Sequence, residues 1–486
     1  MRNSRIGQVA AVDLGATSGR VMLATVGPGH LDLRQVARFG NEPVEIWNGE
    51  RAALHWDIAG LYARVCAGLA EAARRAPEMI GVGVDSWAVD YGLLREGRLL
   101  GLPHHYRDTR TAAGVEAVHA AIPQSELYER NGLQFLPFTT IYQLAADRLA
   151  GDLGPADSAL LIPDLIGYWL TGAMVTERTN ASTTGLLGID GEWEPTLHTR
   201  LAPGPRLFPE LVDPGSRLGP VLPSVGTRLG LDHAIQVTAV ASHDTASAVV
   251  AVPMAAESAA YISCGTWGLV GVELDAPVIT GASRAANFTN EAGADGRIRF
   301  LHNVMGLWLL SESVRQWERD GARIDLTRLL DEAAASPPPA VFDVDDPRFL
   351  TPGDIPARIA DWYTEHELPA PASRVDMVRA IVESLAAAFA HGVHIAAELS
   401  GTPVRTLHIV GGGAQNRLLC QLTADHAGLP VVAGPVEATS IGNILIQART
   451  HELLTGDLDA LRAVVAATFA LRRHTPRQTT TTRKAG

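Results

Sequence analysis

Three short stretches of the chain hold the residue types that phosphate chemistry needs. The first is Asp13-Leu14-Gly15-Ala16-Thr17-Ser18-Gly19, set between an apolar run ending at Val12 and another beginning at Val21. That pattern reads as strand, turn, strand. Gly15 and Gly19 let backbone approach a ligand closely. The amides and the Thr17 and Ser18 hydroxyls can donate to phosphate oxygens, and Asp13 can hold a hydrated Mg²⁺. An ordinary hairpin turn uses the same residue types, so both readings stand. The second stretch is Ser263-Cys264-Gly265-Thr266, inside AAYISCGTWGLVGVEL. It lacks an acid and would meet phosphate without repulsion. Two similar hairpins about half a chain apart suggest an internal duplication. The third is Gly411-Gly412-Gly413, between the apolar strand LHIV and a helix. It could receive the flat face of adenine or only connect the two elements. It is not a GxGxxG fingerprint.

Proton chemistry needs a base, and Ala241-Ser242-His243-Asp244-Thr245-Ala246 offers one. It follows the strand IQVTAVA and opens a helix of small residues. Asp244 could be only a helix cap. It could equally accept the proton of an attacking hydroxyl, with His243 beside it to hydrogen-bond the substrate. Five aromatics, Trp47, Trp56, Trp87, Phe135 and Phe138, could frame a sugar or fill the core.

Lys484, in the polar C-terminal tail, is the only lysine among 40 cationic residues. A Walker lysine, a protein-kinase strand lysine and a Schiff-base lysine are therefore excluded from the body of the chain. ATP would have to be held by backbone amides, hydroxyls, a metal ion and arginine. The formal net charge of -13 argues against nucleic acid and anionic membrane as partners. Its three cysteines, Cys66, Cys264 and Cys420, are too few and too scattered for a disulfide framework or a zinc cluster. The N-terminal segment is basic, but Asp13 interrupts any signal-peptide core, which leaves the cytoplasm as the expected location.

These residues need a scaffold of 486 residues, too long for one core. Strands and helices alternate, which favours α/β domains. Helices are expected around residues 126–130, 142–149 and 160–170. Another is expected over 377–401, where Val378, Ile381, Val382, Leu385, Phe389, Val393 and Ala396 recur at helical spacing before Gly401. Residues 202–223 read as a loop, 336–356 as a surface excursion and 475–486 as a disordered tail.

Longer blocks carry a resemblance. VAAVDLGATSGRVMLA, GVGVDSWAVDYGLL, GLPHHYRDTRT, NGLQFLPFTTIYQL, IPDLIGYWLTG and NASTTGLL stand in the first half. SHDTASAVVAVP, AYISCGTWGLVGVEL, NFTNEAGADGRIRFLHNVMGLWLL and HIVGGGAQNRLLCQLTADHAGLPVVAGPVEATSIGNI follow in the second. Their order resembles the rhamnulokinase branch of the FGGY carbohydrate kinases from about residue 8 to 450. The resemblance implies two ribonuclease-H-like, actin-type α/β domains with ATP and sugar in a central cleft. The expected domains are 1–245, with the sugar site and first phosphate hairpin, and 246–474, with the nucleotide site. The implied reaction is ATP-dependent phosphorylation of L-rhamnulose at its 1-hydroxyl, by a monomer or homodimer. Asp244 resembles the general base. His243 and Thr245 resemble its substrate-side neighbours, Ala88 a sugar contact and Asn303 a substrate or nucleotide contact. Ala16, Thr17, Ser18, Gly19 and Arg20 resemble the first phosphate loop and Thr266 the second. Gly412 and Gly413 resemble part of the adenine site. Ala88 stands where the family commonly has Gly, Cys264 where it has Ser, and Ser311 where it has Gln. The alternatives are a kinase of another deoxyketose such as L-fuculose, or a non-catalytic actin-like ATP-binding protein.

Overall fold

The computed structural model describes residues 6–201 and 207–477. Lys484 and the end of the tail lie outside them. Contacts divide the chain into two compact units. The first joins Met1–Pro253, Glu273–Phe300 and Glu437–Phe469; the second joins Met254–Val272, Leu301–Val436 and Ala470–Gly486. The expected boundary at 245/246 lies close to the first crossing at Pro253, and two later segments, Glu273–Phe300 and Glu437–Phe469, return to the first unit. The reason for the second return lies in the helix Ala438–Thr450. Its Ile441, Ile444 and Leu445 are buried, and Gln447 donates to the Ala10 carbonyl at 2.9 Å, so it belongs to the first core.

The sheet of unit 1 is built from β1 (Gly7–Leu14), β2 (Ser18–Gly27), β3 (His30–Gly40), β4 (Gly81–Ser86), β5 (Arg217–Pro220) and β6 (Gln236–Thr238). Their order is β5-β6-β4-β1-β2-β3. β1 and β2 form the expected antiparallel hairpin, and β4 runs parallel to β1. Val9 to Val12 are fully buried. A strand covered on both faces reads as a continuous apolar run, which is what this segment shows. The helix Ile58–Arg75 covers one side of the hairpin, and Ala438–Thr450 packs on β1 and β4. Gly442 lets the latter cross the helix Asp244–Val250, because a Cβ there would meet the Ser247 carbonyl oxygen at 1.8 Å.

The second sheet holds β7 (Ala259–Cys264), β8 (Trp267–Leu274), β9 (Ile298–Met305), β10 (Thr406–Val410), β11 (Val431–Ala433) and β12 (Arg472–His474), with the last residues of β8 and the first of β9 assigned to unit 1 and the rest to unit 2. The sheet has seven strands: the short strand Thr289–Ala292 stands outside β9, and the order continues β9-β8-β7-β10-β11-β12. β7 and β8 are antiparallel, β10 is parallel to β7, β11 to β10, and β12 is antiparallel to β11. Reading outward from each hairpin, six of its strands repeat the plan of the first sheet, and Thr289–Ala292 is added at one edge. The duplication suggested by two short turns extends to both sheets.

The expected long helix is Arg374–Ser400, with Ser373 accepting from the Asp376 amide and Gly401 closing it at φ 72°. It is long and apolar enough to cross a membrane by composition, yet its apolar stripe lies in the core of unit 2. Residues 336–356 are not a surface excursion. Phe342, Val344 and Phe349 are buried, and the Phe342 amide donates to Ser384 Oγ at 3.0 Å. The proline run reads as loop, but Phe342 and Val344 alternate with aspartates at the period of an extended segment lying on a core.

Candidate active site

In unit 1 the carboxylates stand where elements end. Asp13 on β1 and Asp85 on β4 are register partners in a parallel pair. Ser86 forms an isolated parallel bridge with His243, and its amide donates to the Ser242 carbonyl at 2.9 Å. The ends of β1 and β4 and the start of the helix Asp244–Val250 are thereby neighbours. The cap position of that helix is His243, and Asp244 is its first helical residue. The bland reading of Asp244 as the cap therefore fails on position.

Asp13 accepts from Ser440 Oγ at 3.0 Å and lies 3.5 Å from Arg20 Nε. Arg20 also forms an ion pair with Glu437. Its guanidinium is thus engaged with two carboxylates, rather than standing open beside the phosphate turn. Burial pushes the Asp13 carboxyl up to about 6 against the pull of Arg20, and Asp244 adds to the rise. Asp85 accepts from Asn443 Nδ2 at 2.6 Å, while its buried Oδ1 has no partner among the described residues. Burial and then Asp13 hold it well above the ordinary carboxylate range. Asp244, whose side chain is 31% exposed, is also raised by burial, opposed by His243. Asp13 and Asp244 both raise the proton affinity of Asp85, and carboxylate oxygens such as the unpartnered Asp85 Oδ1 are the ligand type a hard divalent cation takes.

The turn after Asp13 keeps its polar groups ordered. The Gly15 amide donates to the Ser18 carbonyl at 3.0 Å and the Asn41 amide to the Thr17 carbonyl at 3.1 Å. Asn41 Nδ2 donates to the Gly15 carbonyl at 2.9 Å. Ala16, Thr17 and Ser18 remain partly exposed and Gly19 is buried. The loop before Asp244 is fixed from beneath. Fully buried Glu177 accepts from the Ser242 amide at 2.9 Å and Ser242 Oγ at 2.7 Å, and from Thr179 Oγ1 at 2.6 Å. Thr245 is buried and its Oγ1 donates to Asp244 Oδ1 at 3.2 Å.

Ala88 follows β4 directly. The Asp90 amide donates to the Ala88 carbonyl at 2.9 Å around Val89, whose φ is 66°. A three-residue turn with positive φ at a β-branched residue is strained. It is held in place by Thr140 Oγ1 on the Val89 carbonyl at 2.6 Å and by Asp90. Asp90 accepts from Trp56 Nε1 at 2.6 Å, Trp87 Nε1 at 3.0 Å and Gln143 Nε2 at 2.8 Å. Burial raises its carboxyl to about 6 despite those donors. Trp56 and Trp87 pack with ring centroids 4.0 Å apart and planes tilted by 35°, and Tyr106 links Trp56 to Phe138 at 6.4 and 5.3 Å. The structure thus brings together Trp56, Trp87 and Phe138. Trp47 is 68% exposed on a hairpin, and Phe135 packs with His119 and Tyr142 instead.

In unit 2 the second turn and the triglycine turn adjoin. A Cβ on Gly413 would meet Cys264 Sγ at 2.3 Å, whereas one on Gly412 would meet nothing within 4 Å. Gly411 has φ 79°, a conformation that favours glycine. The Trp308 amide donates to the Thr266 carbonyl at 3.2 Å, so the segment after β9 rests on the turn. Asn303 is a partly exposed residue of β9. Burial drives the Cys264 thiol well up, so it fills space as a neutral group. Ser311 is exposed in the first turn of the helix Trp308–Arg319. Where β1 and β4 pair Asp13 with Asp85, β7 and β10 pair Ser263 with Val410.

Sequence reasoning missed Glu177, Glu291, Arg299, Glu437, Ser440 and Asn443. Only one signal was local: the Val-Asp step closing β1 recurs at Val84-Asp85.

Comparison with known proteins agrees with this architecture. The N-terminal domain of the FGGY family of carbohydrate kinases matches residues 9–251, and its C-terminal domain matches residues 260–451. A rhamnulokinase of Pectobacterium carotovorum subsp. carotovorum is 42% identical over 476 residues, 96% of this chain and 93% of that protein. One of Bacteroides thetaiotaomicron is 40% identical over 471 residues, 96% and 95% respectively. Among solved structures, a ligand-bound xylulose kinase of Lactobacillus acidophilus superposes with TM-score 0.76 at 16% identity, covering 97% of this chain and 94% of its own. Plasmodium falciparum glycerol kinase with ADP gives TM-score 0.75 at 15% identity, with 97% and 95% covered.

Proposed function

We propose that this protein, which belongs to the FGGY family of carbohydrate kinases, transfers the γ-phosphoryl group of ATP to the 1-hydroxyl of L-rhamnulose. The products are L-rhamnulose 1-phosphate and ADP. The choice of sugar rests on relatives named rhamnulokinase that match 96% of the chain. The choice of base rests on one observation. Asp244 opens a helix beside the ends of β1 and β4, raised in proton affinity yet still 31% exposed. A carboxylate in that state can take a proton from a sugar hydroxyl as the oxygen attacks phosphorus.

The remaining roles are those that the resemblance to the family implies. Ala88, His243 and Thr245 of unit 1 are the sugar-side contacts, and Asn303 of unit 2 is a substrate contact. The amides and hydroxyls of Ala16, Thr17, Ser18 and Gly19 hold phosphate, with Arg20 steadying Asp13 behind them. Thr266 supplies a second phosphate contact, and Gly412 and Gly413 border the adenine. Asp13, with Asp85 behind it, is the place for Mg²⁺, and the ion would neutralise phosphate charge there. No lysine stands among the described residues, so backbone, hydroxyl and metal carry the charge that a lysine carries in P-loop enzymes. The enzyme works in the cytoplasm, where ATP is supplied.

A panel of ketoses assayed for ADP release tests the reading. L-Rhamnulose should give the highest kcat/KM, and L-fuculose and D-xylulose should fall well below it. A higher kcat/KM for L-fuculose would reassign the sugar, and no ADP release with any ketose would remove the kinase assignment.

A further inference from the structure

Behind the proposed base lies a buried group that the phosphoryl transfer itself does not use. Arg299 is fully buried on β9, within unit 1. Its three nitrogens have three separate tasks. Nε donates to the Ala292 carbonyl at 3.0 Å. One terminal nitrogen forms an ion pair with the buried Glu291 at 3.1 Å. The other lies 3.1 Å from His243 Nδ1. On the far side of the imidazole, Nε2 is 3.4 Å from Asp244 Oδ1.

A guanidinium has donors and no acceptor. The ring nitrogen it faces must therefore offer a lone pair, which puts the proton of a neutral imidazole on Nε2. Glu291 Oε2 also lies 3.4 Å from Nδ1, and alone it would favour the opposite tautomer. Arg299 is nearer to both groups than they are to each other, and it takes up the Glu291 charge.

We infer that Arg299 and Glu291 are positioning residues that hold His243 as its Nε2–H tautomer, so that it donates to Asp244 Oδ1 and fixes the orientation of that carboxylate. Thr245 Oγ1 donates to the same oxygen at 3.2 Å. Oδ1 is thereby the anchored oxygen, and Oδ2 is the one turned to the reacting hydroxyl. No charge moves through the chain Glu291, Arg299, His243; it selects one proton position and one carboxylate rotamer. The catalytic half of this inference rests on Asp244 being the base, whereas the tautomer can be read without any substrate.

Nitrogen NMR of the isotope-labelled full chain, with the His243 signals assigned by loss in His243→Gln, reads the tautomer directly. A protonated Nε2 and an unprotonated Nδ1 are expected. A proton on Nδ1 would overturn the inference. Arg299→Met alone strands Glu291 in a buried site and could unfold the protein, so the charge-balanced pair Arg299→Met with Glu291→Gln is the variant of choice, alongside Arg299→Lys. In the folded double variant the single tautomer should be lost. Its kcat should fall about 10²-fold, as expected when a reacting group is displaced by around an ångström, with sugar KM changed far less. Unchanged kcat in a folded double variant would overturn the inference. Asp244→Asn, run in parallel, separates this failure from that of the base assignment: an active Asp244→Asn removes the base, whatever the tautomer shows.

Discussion

Asp13 and Asp85 sit side by side in register on parallel strands, and Asp13 raises the proton affinity of Asp85. Asp13 is raised from 3.8 to about 6, so the folded chain binds a proton that the unfolded chain has already lost. The stability this contributes is full below pH about 4 and is lost as the pH rises through about 6. Its size is on the order of 3 kcal/mol for a shift of this extent. Urea unfolding in EDTA between pH 4 and 7 should show this component decline, and Asp13→Asn should flatten it. An equal slope in the variant would refute the coupling.

Asp244→Asn keeps shape but cannot take a proton. Turnover should fall about 10²–10⁴-fold, with ATP and sugar affinity and melting temperature little changed. Near-normal turnover in a folded variant would leave the reaction without its base.

How much of this site could be read from residue order depends on distance along the chain. Asp13 with its glycine turn, and Asp244 beside His243, are local patterns, and local patterns survive in a string of letters. So does the helix Arg374–Ser400, whose apolar residues recur at a period of 3.6. Glu177 reaches Ser242 from 65 positions away, and Ser440 reaches Asp13 from 427 positions away. Their roles exist only after packing. Residues 336–356 misled because proline signals loop, while burial of Phe342 and Phe349 depends on the helices beneath them. The expected boundary at 245/246 lies near the first crossing at Pro253, whereas no composition change marks the return of the chain at Glu437.

Gln143 Nε2 donates to Asp90 at 2.8 Å and to the Phe138 carbonyl at 2.9 Å, next to the strained turn at Val89. Gln143→Leu leaves buried acceptors short of a donor, at a cost of roughly 1–3 kcal/mol. The turn carrying Ala88 should then relax, raising sugar KM more than it lowers kcat. A lower melting temperature with unchanged sugar KM would separate the turn from sugar binding.

Gly412 and Gly413 should answer differently to one methyl group. Gly413→Ala drives a Cβ to 2.3 Å from Cys264 Sγ. It should cost about 1–3 kcal/mol and raise ATP KM. Gly412→Ala points into open space and should leave stability within about 0.5 kcal/mol. Paired thermal melts and ATP titrations check both, and equal stability losses would mean the turn is packed differently.

The helix Ala438–Thr450 has a consequence for how the protein is made. Ser440, Asn443 and Gln447 bring hydrogen bonds to Asp13, Asp85 and the backbone of β1, and Glu437 brings the second anion to Arg20. A ribosome releases these residues long after the strands they complete. Until then the nascent first sheet holds its paired acids with no donor from that helix and an uncovered apolar face over β1 and β4. Once made, that helix completes two things at once: it covers the core face over β1 and β4 and brings hydrogen-bond donors to the acids. A fragment ending at Pro253 should accordingly be insoluble or loosely folded, however complete its sheet looks on paper.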